Sequence, residues 1–410
     1  MDAPSVKDSQ WKITLVVLSL SSVLMSLSYT MLIPFLPMYL INELGVDQSR
    51  ANLWSGIVFS ASFLISGIMA PIWGAMADRR SRKLMALRAA VLLAVSYTLG
   101  GLVQNEWQLL AMRCFQGFAS GLWPACLAIM ASFAPRDRLG FCMGTMQGAM
   151  TAGGVLGPFF GGVLAEMFSM RTTFFVGGGA LIVISLLILT LIREPARKEK
   201  KKEAGKTQKR NLLKVPVVQR MLLCAGIVQL TILVQQPVLP LYIGELQGSM
   251  DKLVLVTGLV FSVVGISGVV ASPLWGILGQ KWGYRPALYS ALFGTAVFGM
   301  IQAIPDTLIP FGIWRFIGGL TFAGIFPAIN AVLTMSTDPE DRGRIFGLSY
   351  AAQQAGSVAG PLIGGGMAMV LPLWTVVFFS GFILLPLAVF LFVCRPKQEE
   401  STAGEPARLH

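Results

Sequence analysis

The sequence predicts an all-α polytopic membrane protein, with twelve transmembrane helices arranged as two pseudo-symmetric six-helix bundles. Three observations predict it. Of 410 residues, 54% are hydrophobic and only 13% charged, whereas an ordinary soluble domain carries about a quarter charged. The apolar residues gather into runs of a length that crosses a bilayer, because a helix rising 1.5 Å per residue needs about 20 residues to span about 30 Å of hydrocarbon. The second half of the chain also repeats the first, with Pro71, Trp73 and Gly74 of APIWGAMADRR answered by Pro273, Trp275 and Gly276 of SPLWGILGQKW, 202 positions later.

The runs fall at 13–40, 52–77, 84–104, 108–133, 139–165, 172–192, 218–243, 253–278, 286–304, 308–334, 342–370 and 373–394. The first follows a short polar start, MDAPSVKDSQWK, and is too long for the apolar core of a signal peptide, so it reads as a retained span. REPARKEKKKEAGKTQKRNLLKVP (193–216) interrupts the pattern between the sixth and seventh runs. It reads as a solvated linker, although a basic juxtamembrane stretch also suits anionic lipid. The expected organisation is an N-terminal bundle at 1–192, a basic cytoplasmic linker at 193–217, a C-terminal bundle at 218–395 and a disordered cytoplasmic tail at 396–410.

A net charge of +12 raises the question of nucleic acid. With the N-terminus inside, however, 27 of the 32 Lys and Arg residues fall in cytoplasmic segments or at their span ends. Arg50, Arg171 and Lys252 lie outside, and Arg113 and Arg315 lie within spans. That is the positive-inside bias, which places both termini in the cytoplasm. No nucleic-acid motif accompanies it. The five cysteines lie in or at the ends of spans without close pairing and read as small buried hydrophobes, while the single histidine is the last residue, His410. No phosphate-binding loop, metal-ligand cluster or nucleophile arrangement is present, so neither an enzyme nor a nucleotide-driven pump is expected, and no cofactor.

The repeat extends along the chain. PFLPMYL with Pro34, Pro37 and Tyr39 is answered by PVLPLYI with Pro237, Pro240 and Tyr242, SGIVFS (55–60) by TGLVFS (257–262), and PRDR (135–138) by PEDR (339–342). Arg113 precedes GLWPA as Arg315 precedes GIFPA. The fullest match is glycine-rich: Gly144, Gly153, Gly157, Pro158, Gly161 and Gly162 against Gly347, Gly356, Gly360, Pro361, Gly364 and Gly365. Small residues four apart let two helix backbones approach, and a proline inside a helix favours a bend. Internal symmetry of this kind marks membrane transporters that work by alternating access.

These motifs resemble the major facilitator superfamily over nearly the whole chain. GAMADRRSRK (74–83) is similar to its loop signature between spans two and three, AMRCFQG (111–117) to its span-four signature, and Gly144 through Gly162 to the span-five motif of its drug:proton antiporters. The pattern is most similar to twelve-span bacterial multidrug exporters of the type G branch. The resemblance implies a monomeric, multi-pass protein of the bacterial plasma membrane that confers resistance by proton-driven export of small amphipathic compounds. Two departures stand out. Ser81 replaces the glycine of the loop signature, and the second-half copy has Gln280 where the first has Asp78.

The resemblance assigns Gly74, Asp78, Arg79, Arg82 and Lys83 to a cytoplasmic latch, with the Asp78 carboxylate complementing the start of span eleven near Arg342 and Arg344. The alternative is a loop acid set among basic neighbours. Arg113, with Gln116 and Gly117, is a candidate for substrate or proton coupling. Arg315 is its counterpart. A charge near the midplane costs at least about 2.5–3.5 kcal/mol unless paired or hydrated, so either a water-filled cavity or a structural bond to a neighbour such as Gln116 is required. All 20 acids fall in loops, tails or span ends, which leaves the proton carrier unassigned. Tyr29, Trp123, Gln229, Gln235, Gln236, Phe326 and Asn330, on spans 1, 4, 7 and 10, are candidates to line the central cavity, each equally readable as helix packing. Two alternatives to multidrug export stay open: an exporter of a dedicated anionic metabolite such as a metallophore, and a membrane sensor that does not transport.

Overall fold

The computed structural model describes residues 6–79, 81–135, 138–192, 212–337 and 341–394, apart from the side chains of 6–9, 75, 78, 79, 140, 212, 342 and 343. Seven spans are single helices: span 2 (Gln48–Arg79), span 3 (Arg82–Leu102), span 5 (Leu139–Met167), span 6 (Met170–Leu191), span 8 (Leu253–Trp282), span 9 (Tyr284–Ile301) and span 11 (Arg342–Met367). The helices run unbroken through Pro71, Pro158, Pro273 and Pro361.

The other five spans are broken, where the apolar pattern reads as continuous. Span 1 comprises Val6–Thr30 and Leu36–Asn42 around a 3-10 turn at Ile33–Phe35, and span 7 comprises Pro216–Val234 and Leu239–Gln247. Pro34, Pro37 and Pro240 occupy first-turn positions of the segments that follow the breaks, where a missing N–H costs nothing. Span 4 (Glu106–Phe118, Leu122–Phe133) breaks at Gly121, whose φ of 105° belongs to the left-handed region that glycine enters freely. Span 10 (Leu308–Phe322, Ile325–Met335) breaks at the equivalent place, and span 12 divides into Leu373–Phe382 and Leu384–Val393.

Among the described residues ten spans are long and apolar enough to cross a bilayer by composition. The remaining two are span 9, which opens with Arg285, and the glycine-rich span 11. They lie where the repeat requires partners for spans 3 and 5. The buried face of span 3 (Met85, Ala86, Ala89, Ala90, Ala94) recurs on span 9 as Ala287, Leu288, Ala291, Leu292 and Ala296, every pair 202 apart. The phrase written twice serves one purpose in each half. Trp73 Nε1 donates to the Phe118 carbonyl at 2.8 Å, and Trp275 Nε1 to the Leu320 carbonyl at 2.7 Å. Each ties the end of one span to the break in the next but one. Large apolar side chains such as Val95, Leu186, Leu189 and Phe390 stay exposed, as expected where hydrocarbon replaces water.

One buried cluster is built mainly from first-half residues and reaches across to Leu239–Val260, while a second lies wholly within residues 218–391. Span 5 packs on span 1 and span 11 on span 7 within the halves. Span 2 packs on span 11 and span 5 on span 8 between them.

Candidate functional site

The glycine motif has two working faces. On one, span 5 meets span 1: a Cβ at Gly153 would strike the Val23 carbonyl, one at Gly157 the Thr30 hydroxyl, one at Gly161 the Met31 carbonyl. Gly356, Gly360 and Gly364 meet Gly226, Leu230 and Val234 of span 7 in the same way. On the other face the two halves touch. A Cβ at Gly258 would run into the Pro158 carbonyl, and one at Gly56 into the Pro361 carbonyl. Ser262 donates to the Val155 carbonyl at 2.8 Å, and Ser60 to that of Val358 at 2.7 Å. Gly162 abuts Val254 and Leu255, and Gly365 abuts Asn52 and Leu53. Two equivalent seams therefore close the molecule at one end, the end opposite the chain termini by the alternation of spans.

At the end that carries the termini the same motifs are apart. Gly74, Gly144, Gly276 and Gly347 have nothing within 4 Å of a built Cβ, and Phe141 is 64% exposed. Between these ends lies a cleft. Tyr29 is exposed on span 1 and stands near Arg113 of its own half and Tyr350 of span 11. Tyr350, also exposed, stands beside Ser66 of span 2.

Behind Tyr29, Arg113 is 3% exposed. Its Nη1 donates to Gln116 Oε1 at 2.9 Å, one helical turn on, and its guanidinium lies 5.7 Å from the centre of the Phe59 ring. Tyr97 lies beside Gln116, and Tyr29 and Tyr39 also stand near the charge. Nε and Nη2 have no partner among the described residues. Gly117 lets span 4 pass close to the Ser62 carbonyl of span 2. Arg315 repeats the ring contact, 5.7 Å from Phe261, but reaches different partners: Gln235 Oε1 at 3.0 Å and Gln302 Oε1 at 3.4 Å. Both arginines thus have the amide neighbour that one of the two arrangements requires, and among the described residues neither has a carboxylate partner.

The remaining candidates divide. Gln235 bridges Arg315 and Ser380. Gln229 packs by its Cβ side on Gly356, Asn330 is exposed, and Trp123 and Phe326 are half-buried against the two cores. Gln236 buries its Oε1 without a partner among the described residues. At the loop signature, Arg82 donates to the Ala128 carbonyl and Lys83 to that of Leu189, so both brace their own half. The side chains of Asp78 and Arg79 lie outside the described residues. Ser81 caps span 3, accepting from the Leu84 amide at 3.1 Å with φ of −59°. Serine is thus suited to a position that needs no left-handed backbone.

Sequence reasoning misses two residues. Counting charges by loop puts Arg88 at a span end, but it lies within span 3, stacked 3.6 Å from the Trp73 ring centre and donating to the Ser120 carbonyl at 2.7 Å. Its i, i+6 spacing from Arg82 is the available signal. Tyr350 carries none, because a lone tyrosine on the glycine-rich span 11 reads equally well as helix packing.

Two equivalent seams, a cleft open at one end and the buried Arg113 beside it define a membrane transporter of the alternating-access class. The chain belongs to the major facilitator superfamily, whose model matches residues 18–254 and again 221–409. It is 32% identical over 391 residues to the multidrug resistance protein MdtG of Yersinia enterocolitica, covering 95% of this chain and 94% of that one. It is 33% identical over 361 residues to the Escherichia coli protein of the same name (strain K12), covering 87% and 88%. Two solved structures share the fold. The nucleoside transporter NupG (D323A mutant) gives a TM-score of 0.78 at 14% identity over 93% of this chain and 99% of that one. A bacterial homologue of the human lysosomal transporter Spinster, inward-facing and occupied, gives 0.78 at 16% over 94% and 96%. The protein is a multi-pass membrane transporter of small molecules, not an enzyme.

Proposed function

We propose that the protein exports small amphipathic organic compounds, drug-like molecules among them, by proton antiport across the bacterial inner membrane. It works as a monomer with both termini cytoplasmic. Residues 1–192 and 218–395 rock as two units about the cleft. The observation that carries this reading is the pair of equivalent Gly–Pro seams closing one end while the matching glycines at the other end stand apart. With the termini inside, this conformation is open to the cytoplasm, where an exporter collects its cargo. The names of the relatives support multidrug export, and the positive-inside bias supports the orientation. The exposed Tyr29 and Tyr350, each an apolar ring with one polar tip, suit amphipathic molecules, since few polar groups then fix orientation loosely. Arg113, buried behind Tyr29 without an acid partner, is the residue we assign to coupling or substrate charge, and Asp78 is the latch of the opposite conformation.

The test is transport in everted vesicles loaded with a fluorescent pH indicator and energised by respiration. Adding exported compounds should consume the acid gradient in vesicles that contain the protein and not in those that carry the Arg113→Ala variant. Resistance conferred on cells without any gradient consumption would refute proton coupling. No accumulation difference for cationic, neutral or anionic compounds would refute export itself.

A further inference from the structure

The repeat is close enough that its failures are informative, and they cluster at one place. Around Arg113 the interior of the first half is filled: Gln116 bonds the guanidinium, Tyr97 is 3% exposed, and the Tyr97 and Phe174 rings lie 6.3 Å apart. At the matching positions of the second half stand Gly318, Gly299 and Val377. The register is secure, because the buried faces of spans 3 and 9 align at 202 and those of spans 6 and 12 at 203. Three bulky side chains have been traded for two glycines and a valine. The two glycines line a cavity of about 120 Å³ inside the second bundle. No first-half residue lines it.

The chemistry of its wall is one-sided. Arg315 projects into it beside Gln235, Gln302, Thr231, Thr295 and Ser380. The Gln235 and Gln302 oxygens are both turned to Nη1 of the arginine, so their amide groups neutralise none of its charge. Nε of Arg315 has no partner among the described residues, and no Asp or Glu lines the cavity. A half-buried guanidinium with a free donor suits an opposite charge; its planar donor fork matches a carboxylate, and its positive charge also suits a halide. The volume is somewhat below that of an engineered cavity of about 150 Å³ that admits benzene, so the occupant is small.

We propose that the second bundle holds a small monoanion, a halide or a short carboxylate, on Arg315 within this cavity, at a site separate from the cleft between the halves. In the first half the side chains of Gln116, Tyr97 and Phe174 occupy the matching space, so no ion is expected there. The separation matters for the test, which measures binding in the purified protein and needs no transport.

Thermal melting of the full chain should be followed in chloride, in acetate and in gluconate, the last too large for the cavity, at one ionic strength. The wild type should melt higher in at least one of the two small anions, with a rise that saturates as a binding isotherm does. A response to acetate alone assigns the site to carboxylates, and to chloride alone, to halides. Arg315→Gln should abolish the rise. Gly318→Gln provides the variant that keeps the charge. A Cβ at 318 meets only the Phe298 Cβ, at 3.6 Å, so the side chain fits and reproduces the Arg113–Gln116 arrangement. It should lose the anion response while melting in gluconate at or above the wild type. Equal wild-type melting in all three salts overturns the proposal. So does an anion response that survives in Gly318→Gln, since the ion would then lie elsewhere.

Discussion

The two ends of the molecule differ in what their glycines touch. At the end away from the termini, a Cβ on Gly56 or Gly258 would enter a proline carbonyl of the opposite half. At the end that carries the termini, Gly74, Gly144, Gly276 and Gly347 would meet nothing within 4 Å. The same residue type, set down twice by duplication, thus does contact work at one end and stands in open space at the other. Glycine in contact is a packing device, letting two backbones come together. Glycine in open space has no such reason in this conformation. The difference is what a rocking pair of bundles requires, because the surfaces that close in one conformation must be unobstructed in the other.

The comparison breaks most severely if the closed seams are wedged apart. Gly258→Val places atoms where the Pro158 carbonyl sits. Overpacking of this kind costs about 1–3 kcal/mol, equivalent to about 5- to 150-fold in an equilibrium constant. Transport should fall by a similar factor while the protein still reaches the membrane. A disulfide between cysteines introduced at Ser60 and Val358 should form readily in the parent and slowly in the variant. Unchanged crosslinking would mean that the seam is not a moving surface. Gly56→Val, its partner by symmetry, should behave alike.

A smaller effect is expected at the open end. Asp78→Asn removes the charge assigned to complement the start of span 11, an interaction worth about 0.3–1 kcal/mol at an exposed helix end and up to about 2 when partly buried. Transport should drop a few-fold at normal expression, and thiol labelling of cleft positions such as Tyr350→Cys from the terminal side should rise. Lower transport with unchanged labelling would leave Asp78 a role in the loop but none in closure. Because Gln280 stands at the second-half position, Gln280→Asp should do less than Asp78→Asn, in either direction.

Much of this architecture is legible in the sequence, because a bilayer imposes run lengths and duplication imposes offsets. The span count and the glycine motif written in both halves follow from these two constraints, whereas the helices that the motif packs on do not. The breaks in spans 1, 4, 7, 10 and 12 do not, although PFLPMYL and PVLPLYI hold the signal. Hydropathy records whether a residue suits lipid, not whether its backbone stays helical, and single prolines among Ile33, Phe35, Leu239 and Leu241 leave the average of their runs high. The site is less legible still. Arg113 and Arg315 stand out as charges in apolar runs, yet their different surroundings depend on Gln116 and Tyr97 against Gly318 and Gly299, which come together only when spans 3, 4, 9 and 10 pack. Arg88 is misplaced by charge counting because it lies only six positions on from Arg82, so it passes for part of the basic loop.

The finest test of the contrast between ends concerns Gly144 and Gly347. Alanine at either position meets nothing in this conformation, and replacing a helix-interior glycine is worth up to about 1 kcal/mol in favour of the helix. The Gly144→Ala, Gly347→Ala double variant should therefore melt at or slightly above the parent temperature, in contrast to Gly258→Val, which should melt below it. Transport should nonetheless fall, by about twofold or more, if this end closes by helix contact as the other does. The two methyl groups would then obstruct surfaces that must meet once per cycle. Single variants should each show part of the loss, and the symmetry of the repeat predicts similar parts. Raised stability with full transport would instead mean that the open end closes without bringing these two helix faces together, and the likeness between the ends would stop at their sequence.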